Sequence, residues 1–197
     1  SMIQTFRAIG YSIETAIADI IDNSVAAKSK TIWIDYDWRG SNTTLSILDD
    51  GIGMSNEELI QAMRPGSKNP LDERASDDLG RFGLGLKTAS FSQSKKFTVF
   101  SKASDCKPAF WTWDLDYVTK EKAWKLVRFI PNQDHWIKKV ESLKTGTCII
   151  WWDLDRLTGE TSEDNQEAKS KFLGVMDSLK SHLSMVFHKY IDDGLKI

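Results

Sequence analysis

Three short stretches of the chain carry side chains whose types and spacing suit one job. Asp19 and Asn23 stand four residues apart in Asp19-Ile20-Ile21-Asp22-Asn23. An amide oxygen is a hard, neutral ligand suited to a Mg²⁺ that keeps most of its waters, and a carboxylate one helical turn earlier can orient an attacking water. In Asp49-Asp50-Gly51-Ile52-Gly53-Met54 a carboxylate precedes a glycine-punctuated turn. Asp49 could accept a hydrogen bond from an exocyclic amine, while Gly51 and Gly53 let the backbone approach a flat ring and Met54 is placed to pack on a purine face. The third stretch, Gly80-Arg81-Phe82-Gly83-Leu84-Gly85-Leu86-Lys87, is a glycine-rich turn opening a helix. There backbone N–H groups and the positive helix end meet a triphosphate. In chain order these are a metal ligand with a water-activating acid, a purine-reading acid and a phosphate cradle, which together read as an ATP site.

Each piece alone has a plainer reading. Asp19 and Asn23 could be solvated polar residues on a surface helix, "DDG" is a common turn, a single Met is more often core, and Lys87 could be a surface lysine or reach a terminal phosphate. The third stretch matches neither common phosphate loop. The Walker pattern needs Gly-Lys-Ser/Thr together, whereas Leu86 separates Gly85 from Lys87-Thr88, and the dinucleotide fingerprint needs a preceding strand where a polar loop stands.

The elements that must position these residues follow from periodicity. Ser12 is a plausible N-cap, and Ile13, Ala16, Ile17, Ile20, Ile21 and Ser24 fall on one arc of a helix running to about Ala27, with Asp19 and Asn23 on a strip at its border and Asp22 on the wetter side. Runs 31–36 and 44–48 read as a hairpin that delivers Asp49 to a strand end. Ser55-Asn56-Glu57-Glu58 is a capping box that opens a helix to about Met63. Residues 64–80, rich in Pro, Gly and mixed charge, read as either a disordered stretch or a moving lid. A helix over about 84–92 follows. Beyond Lys95 the chain reads as sheet, with strands at 96–102, 109–115, 124–130 and 146–152, then a long final helix over about 163–190. Thr147, at the start of the last strand, is placed for its hydroxyl to complete the polar network around Asp49. The tryptophans read as core packing.

Composition is permissive. The chain has 197 residues, 41% hydrophobic and 27% charged, with a formal net charge of −2, which suits one α/β domain without whole-chain attraction for nucleic acid. No apolar run approaches bilayer length and no targeting pattern opens the chain, so a cytoplasmic protein without membrane contact is expected. Cys106 and Cys148 read as buried small hydrophobes. Ser1-Met2 looks like a cloning remnant, and 195–197 look like the start of a strand, so a fragment of a longer protein is expected.

The order and wording of these motifs, including Gly146-Thr147-Cys148-Ile149-Ile150-Trp151, resemble the GHKL ATPases: gyrase-type topoisomerases, heat-shock chaperone ATPases, histidine kinases and MutL, with the MORC-like and chaperone-like members nearest in wording. The resemblance implies an α/β sandwich with a mixed, largely antiparallel sheet covered on one face by helices, in a single domain over 1–197 with the lid at 64–80. It implies ATP and Mg²⁺ as ligands. Asn23 would sit on the metal, Asp49 on the adenine amine, and Gly51, Gly53 and Met54 at the base. The stretch Gly80, Phe82, Gly83, Leu84, Gly85 and Leu86 would lie on the phosphates, Lys87 near the γ-phosphate, and Thr147 beside the adenine water network. The family's usual general base is a glutamate four residues before the asparagine, where this chain has Asp19, a methylene shorter. The implied activity is ATP hydrolysis coupled to lid closure and to a nucleotide-dependent homodimer of the full-length protein, slow in this fragment, with a DNA or protein client unspecified. The alternatives are a nucleotide-binding switch without turnover, or a histidine kinase catalytic domain.

Overall fold

The computed structural model describes residues 7, 11–64, 85–128 and 130–197. Of the expected lid only Arg64 falls within these, and the expected phosphate contacts Gly80, Phe82, Gly83 and Leu84 lie outside the described residues.

Helix α1, Ile13–Ala26, starts where its sequence says it should. Ser12 Oγ accepts from the Thr15 N–H at 3.2 Å, satisfying one of the otherwise unpaired first-turn donors. Its 3.6-residue stripe is buried as Ile13, Ala16, Ile17, Ile20, Ile21 and Ser24. Five strands form the sheet: β1 Ile32–Asp37, β2 Thr44–Asp49, β3 Lys96–Lys102, β4 Ala109–Asp114 and β5 Gly146–Trp152. Their order is β1-β2-β5-β3-β4, and each neighbouring pair is antiparallel. The parallel contribution is one bridge between Thr31 and Lys196, outside the named strands.

One sheet face carries the main core. Helices α1, α2 (Asn56–Met63) and α3 (Gly85–Gln93) lie over it, so that Ile17, Leu59, Leu86 and Phe91 pack with Ile47, Val99 and Ile149. Ser55 and Glu58 form the expected capping box on α2, each side chain bonding the other's backbone N–H. Trp113 and Trp151 are core residues. Their indole N–H groups are satisfied by the Met63 carbonyl at 2.9 Å and Ser90 Oγ at 3.0 Å, as buried indoles require. The fold is the α/β sandwich that the motifs implied.

The second half of the chain holds more helix than its aromatic content suggests. Asp114 accepts from the N–H groups of Asp116 and Tyr117, ending β4 and starting α4, Leu115–Glu121. Among the described residues of run 124–130, pairing with β4 is through Val127 and Thr112 alone. Helix α5, Gln133–Glu141, sets Trp136, Ile137 and Val140 on one side. It covers Leu48, Phe100, Phe110, Cys148 and Ile150 on the other sheet face, so helices are not confined to one side. After a short turn of helix, α6 (Asp155–Thr158), the expected terminal helix is α7, Gln166–Val186, followed by α8, His188–Asp192. Cys148 is fully buried and its thiol is pushed up to about 12 by that burial, whereas Cys106 is only half-buried. No described helix is long and apolar enough to cross a membrane.

Candidate functional site

Strand alternation turns the site into a row. Asp49 on β2, Thr147 on β5 and Ser101 on β3 are successive cross-strand partners, so their side chains share the α1-covered face. The next row inward, Ile47, Ile149 and Val99, is apolar, and so is the one beyond it, Leu45, Trp151 and Phe97. The polar row is therefore the margin of the main core, beneath the C-terminal half of α1.

Asp49 is 5% exposed and is surrounded by donors. Its Oδ2 accepts from Ser24 Oγ at 2.9 Å, and its Oδ1 accepts from the Gly51 N–H at 2.9 Å and Ser29 Oγ at 3.2 Å. The Thr147 backbone N–H also bonds this carboxylate. Burial raises the Asp49 pKa above the ordinary carboxylate value, and these four donors pull against that rise. Of the three bonds from Ser24, Gly51 and Ser29, that from Ser29 is the longest.

The glycine turn is wedged between α1 and β3. The Ile52 N–H bonds the Ala27 carbonyl at 3.0 Å. Gly53 has φ +66°, and a Cβ there would stand 1.9 Å from the Lys102 carbonyl oxygen. A Cβ on Gly51 would stand 2.7 Å from Ser29 Oγ and 2.8 Å from the Ala27 carbonyl. The Met54 side chain is buried in the main core, while its N–H donates to Ser101 Oγ at 2.8 Å. Ser101 Oγ in turn lies 2.8 Å from Thr147 Oγ1. The Thr147 hydroxyl thus serves Ser101 rather than Asp49, which meets the backbone of Thr147 instead. Asp50 has a structural task, accepting from the Lys30 and Thr31 N–H groups at 2.7 and 2.9 Å where the chain turns into β1.

On α1, Asn23 is 5% exposed, and its Nδ2 has no hydrogen-bond partner. A buried amide in that condition is costly unless something is to occupy the position beside it. Rotation of the Asn23 amide about χ2 exchanges Nδ2 and Oδ1, so the oxygen can be turned to that position. Asp22 is exposed, as its place on the helix predicts. Asp19, one turn earlier, is half-buried.

Lys87 is not the surface lysine of its plainer reading. It is 1% exposed, and its Nζ donates to the Ala62 carbonyl at 3.1 Å and to the Arg64 carbonyl, at the C-terminal end of α2. Burial lowers its pKa to about 8. Leu86 points into the core, and Gly85 is half-buried with open space where a Cβ would be. Sequence reasoning missed Ser29 and Ser101, isolated serines without a local signal, and gave Ser24 no role. Ser24 did carry a signal: it was the one polar residue on the apolar arc of α1.

Comparison with known proteins agrees with this geometry. Residues 11–147 match the family model described as "Histidine kinase-, DNA gyrase B-, and HSP90-like ATPase". The chain is 31% identical over 88 residues to the ATPase morc-1 of Caenorhabditis elegans, covering 45% of this chain and 10% of that protein. It is 29% identical over 117 residues to the chaperone protein HtpG of Campylobacter jejuni, covering 51% and 19%. With the DNA mismatch repair protein MutL of Rickettsia rickettsii it shares 31% identity over 97 residues, covering 49% and 16%. The chain thus matches a tenth to a fifth of the length of these relatives. With its family model spanning α1, the glycine turn and the start of β5, the chain belongs to the histidine kinase-, DNA gyrase B- and HSP90-like ATPases.

Proposed function

We propose that this domain binds ATP with Mg²⁺ between α1 and the Gly51–Met54 turn and hydrolyses it. The observation that carries the reading is the pairing of a buried, donor-ringed carboxylate with a buried amide that lacks a partner, on adjoining elements. The adenine amine would replace the Ser29 hydroxyl on Asp49. Among the described residues no cluster of three or more His, Cys, Asp or Glu could hold a metal by itself. That suits an ion held by one amide oxygen and phosphate oxygens. Asn23 would hold Mg²⁺, which when bound neutralises charge on the β- and γ-phosphate oxygens.

Asp19, one turn before Asn23, then faces the terminal phosphate and takes a proton from the attacking water. In the fuller form of this reading, segment 64–80 closes over the nucleotide, and closure favours pairing of two such domains in the intact protein. A second reading, a nucleotide-binding switch without turnover, is favoured by the short reach of Asp19. The test is Asp19→Asn in the intact protein. ATP affinity by calorimetry should persist while phosphate release falls by about 10². Parent protein that binds ATP yet releases no phosphate above background would replace hydrolase with switch, and an Asn variant as fast as the parent would remove Asp19 as the base.

A further inference from the structure

Ser101 is fully buried near the end of β3, a strand that supplies none of the residues so far assigned to the nucleotide. It is the last polar member of the row that starts at Asp49, since its partner on β4 is Ala109. Its hydroxyl is where two elements of the site meet. From the glycine turn the Met54 N–H donates to Ser101 Oγ at 2.8 Å, and on β5 Thr147 Oγ1 lies 2.8 Å away. The same hydroxyl can donate to the Gly146 carbonyl at 3.2 Å. One residue further along β3, the Lys102 carbonyl oxygen stands 1.9 Å from where a Cβ on Gly53 would be, so the turn rests directly on this strand.

A hydroxyl has one proton and two lone pairs, so Ser101 can accept from Met54 and still bond β5, which links the turn to Thr147 through a single oxygen. Without that oxygen the Met54 N–H loses its partner, and a buried backbone donor left unpaired costs more than the bond itself contributed. The turn would move to satisfy it, and the Gly51 N–H that bonds Asp49 belongs to the same turn. We propose that Ser101 is a positioning residue for the adenine end of the site: by holding the Gly51–Met54 turn to β5 it fixes where the base meets Asp49. This rests on the reading of Asp49 and the turn as the adenine contacts. Ser101 itself touches no ligand atom. Its effect is confined to the base, because the residues read as metal and phosphate contacts, Asn23 on α1 and Gly85 to Lys87 on α3, lie on other elements and make no bond to it.

The experiment measures, by calorimetry on the intact protein, the affinity of parent and Ser101→Ala for Mg²⁺-ATP and for magnesium tripolyphosphate, which keeps the phosphate chain and lacks base and sugar. Ser101→Ala should weaken ATP binding by about tenfold, the lower end of what an unpaired buried donor costs, and leave tripolyphosphate within about twofold. Thermal unfolding of both proteins separates this from a role in stability alone, which would lower the midpoint yet leave the ratio of the two affinities unchanged. An unchanged ratio overturns the proposal, whatever the midpoint. If the parent itself binds tripolyphosphate as tightly as ATP, the base adds nothing and the adenine reading of Asp49 fails, a result obtained without any Ser101 variant. Should Ser101→Ala lose its fold, amide hydrogen exchange in the parent decides. The Met54 N–H, bonded to a buried hydroxyl, should exchange slowly in the free protein and about tenfold more slowly again with ATP than with tripolyphosphate. The same rate with both ligands overturns the proposal, as does a Met54 amide that exchanges at the open-chain rate.

Discussion

Nucleotide binding should be accompanied by proton uptake at Lys87 if that residue reaches a phosphate. Its ammonium is buried against two carbonyls, and burial lowers its pKa to about 8. A phosphate within hydrogen-bond reach would stabilise the charged form and return the pKa toward or above the ordinary 10.5. At pH equal to the depressed pKa the group carries ~0.5 proton before binding and ~1 after it, so uptake is ~0.5, falling to ~0.1 one pH unit lower and rising to ~0.9 one unit higher. A terminal phosphate, with its second pKa near ~6, is already deprotonated there and adds little. Calorimetric titration with ATP in buffers of different ionisation enthalpy reads the number directly, because the apparent enthalpy varies with buffer in proportion to protons exchanged. Lys87→Met should abolish the dependence. Buffer-independent enthalpy near pH 8 in the parent, or the same dependence in the Met variant, would mean that Lys87 stays on α2 and belongs to the fold rather than to the phosphates.

Asp49→Asn should weaken ATP binding by about 1 to 3 kcal/mol, the scale for a buried polar group losing its partner, by calorimetry. Because burial raises the Asp49 pKa above its unfolded value, the native state holds its proton more tightly, and stability falls as pH rises from the unfolded pKa through the raised one. The Asn variant, which does not titrate there, should lose that dependence in urea unfolding. Asn23→Ala should remove the Mg²⁺-dependent part of ATP affinity and leave the unfolding midpoint nearly unchanged, since its Nδ2 makes no bond to lose; equal binding with and without Mg²⁺ in the parent contradicts the assignment. Gly53→Ala forces a Cβ onto the Lys102 carbonyl at a positive φ, and should cost more than ~2 kcal/mol of stability together with nucleotide binding.

The parts of the molecule that were legible in the sequence are those where one period or one cap decides the outcome. Helix α1 has a single apolar stripe and a serine cap, and the α2 capping box is complete within four residues, so both formed as read. Asp49 was legible because strand β2 ends on it. Lys87 was not. Helix α3 carries Lys, Thr, Ser and Gln and reads as a surface helix, yet Leu86 to Gln93 are all buried, because α1 and the main core enclose it. Only the tertiary setting determines that its lysine must find carbonyls. The contact of the Thr147 hydroxyl with Ser101 was not legible, because sequence identifies the strand end but not which neighbouring group lies within reach of it. Helix α5 was hidden by its tryptophan and β-branched residues, which favour sheet by propensity. The spacing 136, 137, 140 that marks its buried side is too short a pattern to outweigh that composition.

The three residues of the polar row have immediate chain neighbours that point the other way. Leu48, Cys148 and Phe100 are themselves successive cross-strand partners, buried in the smaller cluster under α5. The proposed nucleotide pocket thus has a backing plate one peptide thick, and the packing of that plate sets the spacing of Asp49, Thr147 and Ser101. A protein can tune such a pocket without touching it. Adding or removing a methyl behind the sheet shifts strand against strand by fractions of an ångström, and affinity becomes a property of a face that the ligand never meets.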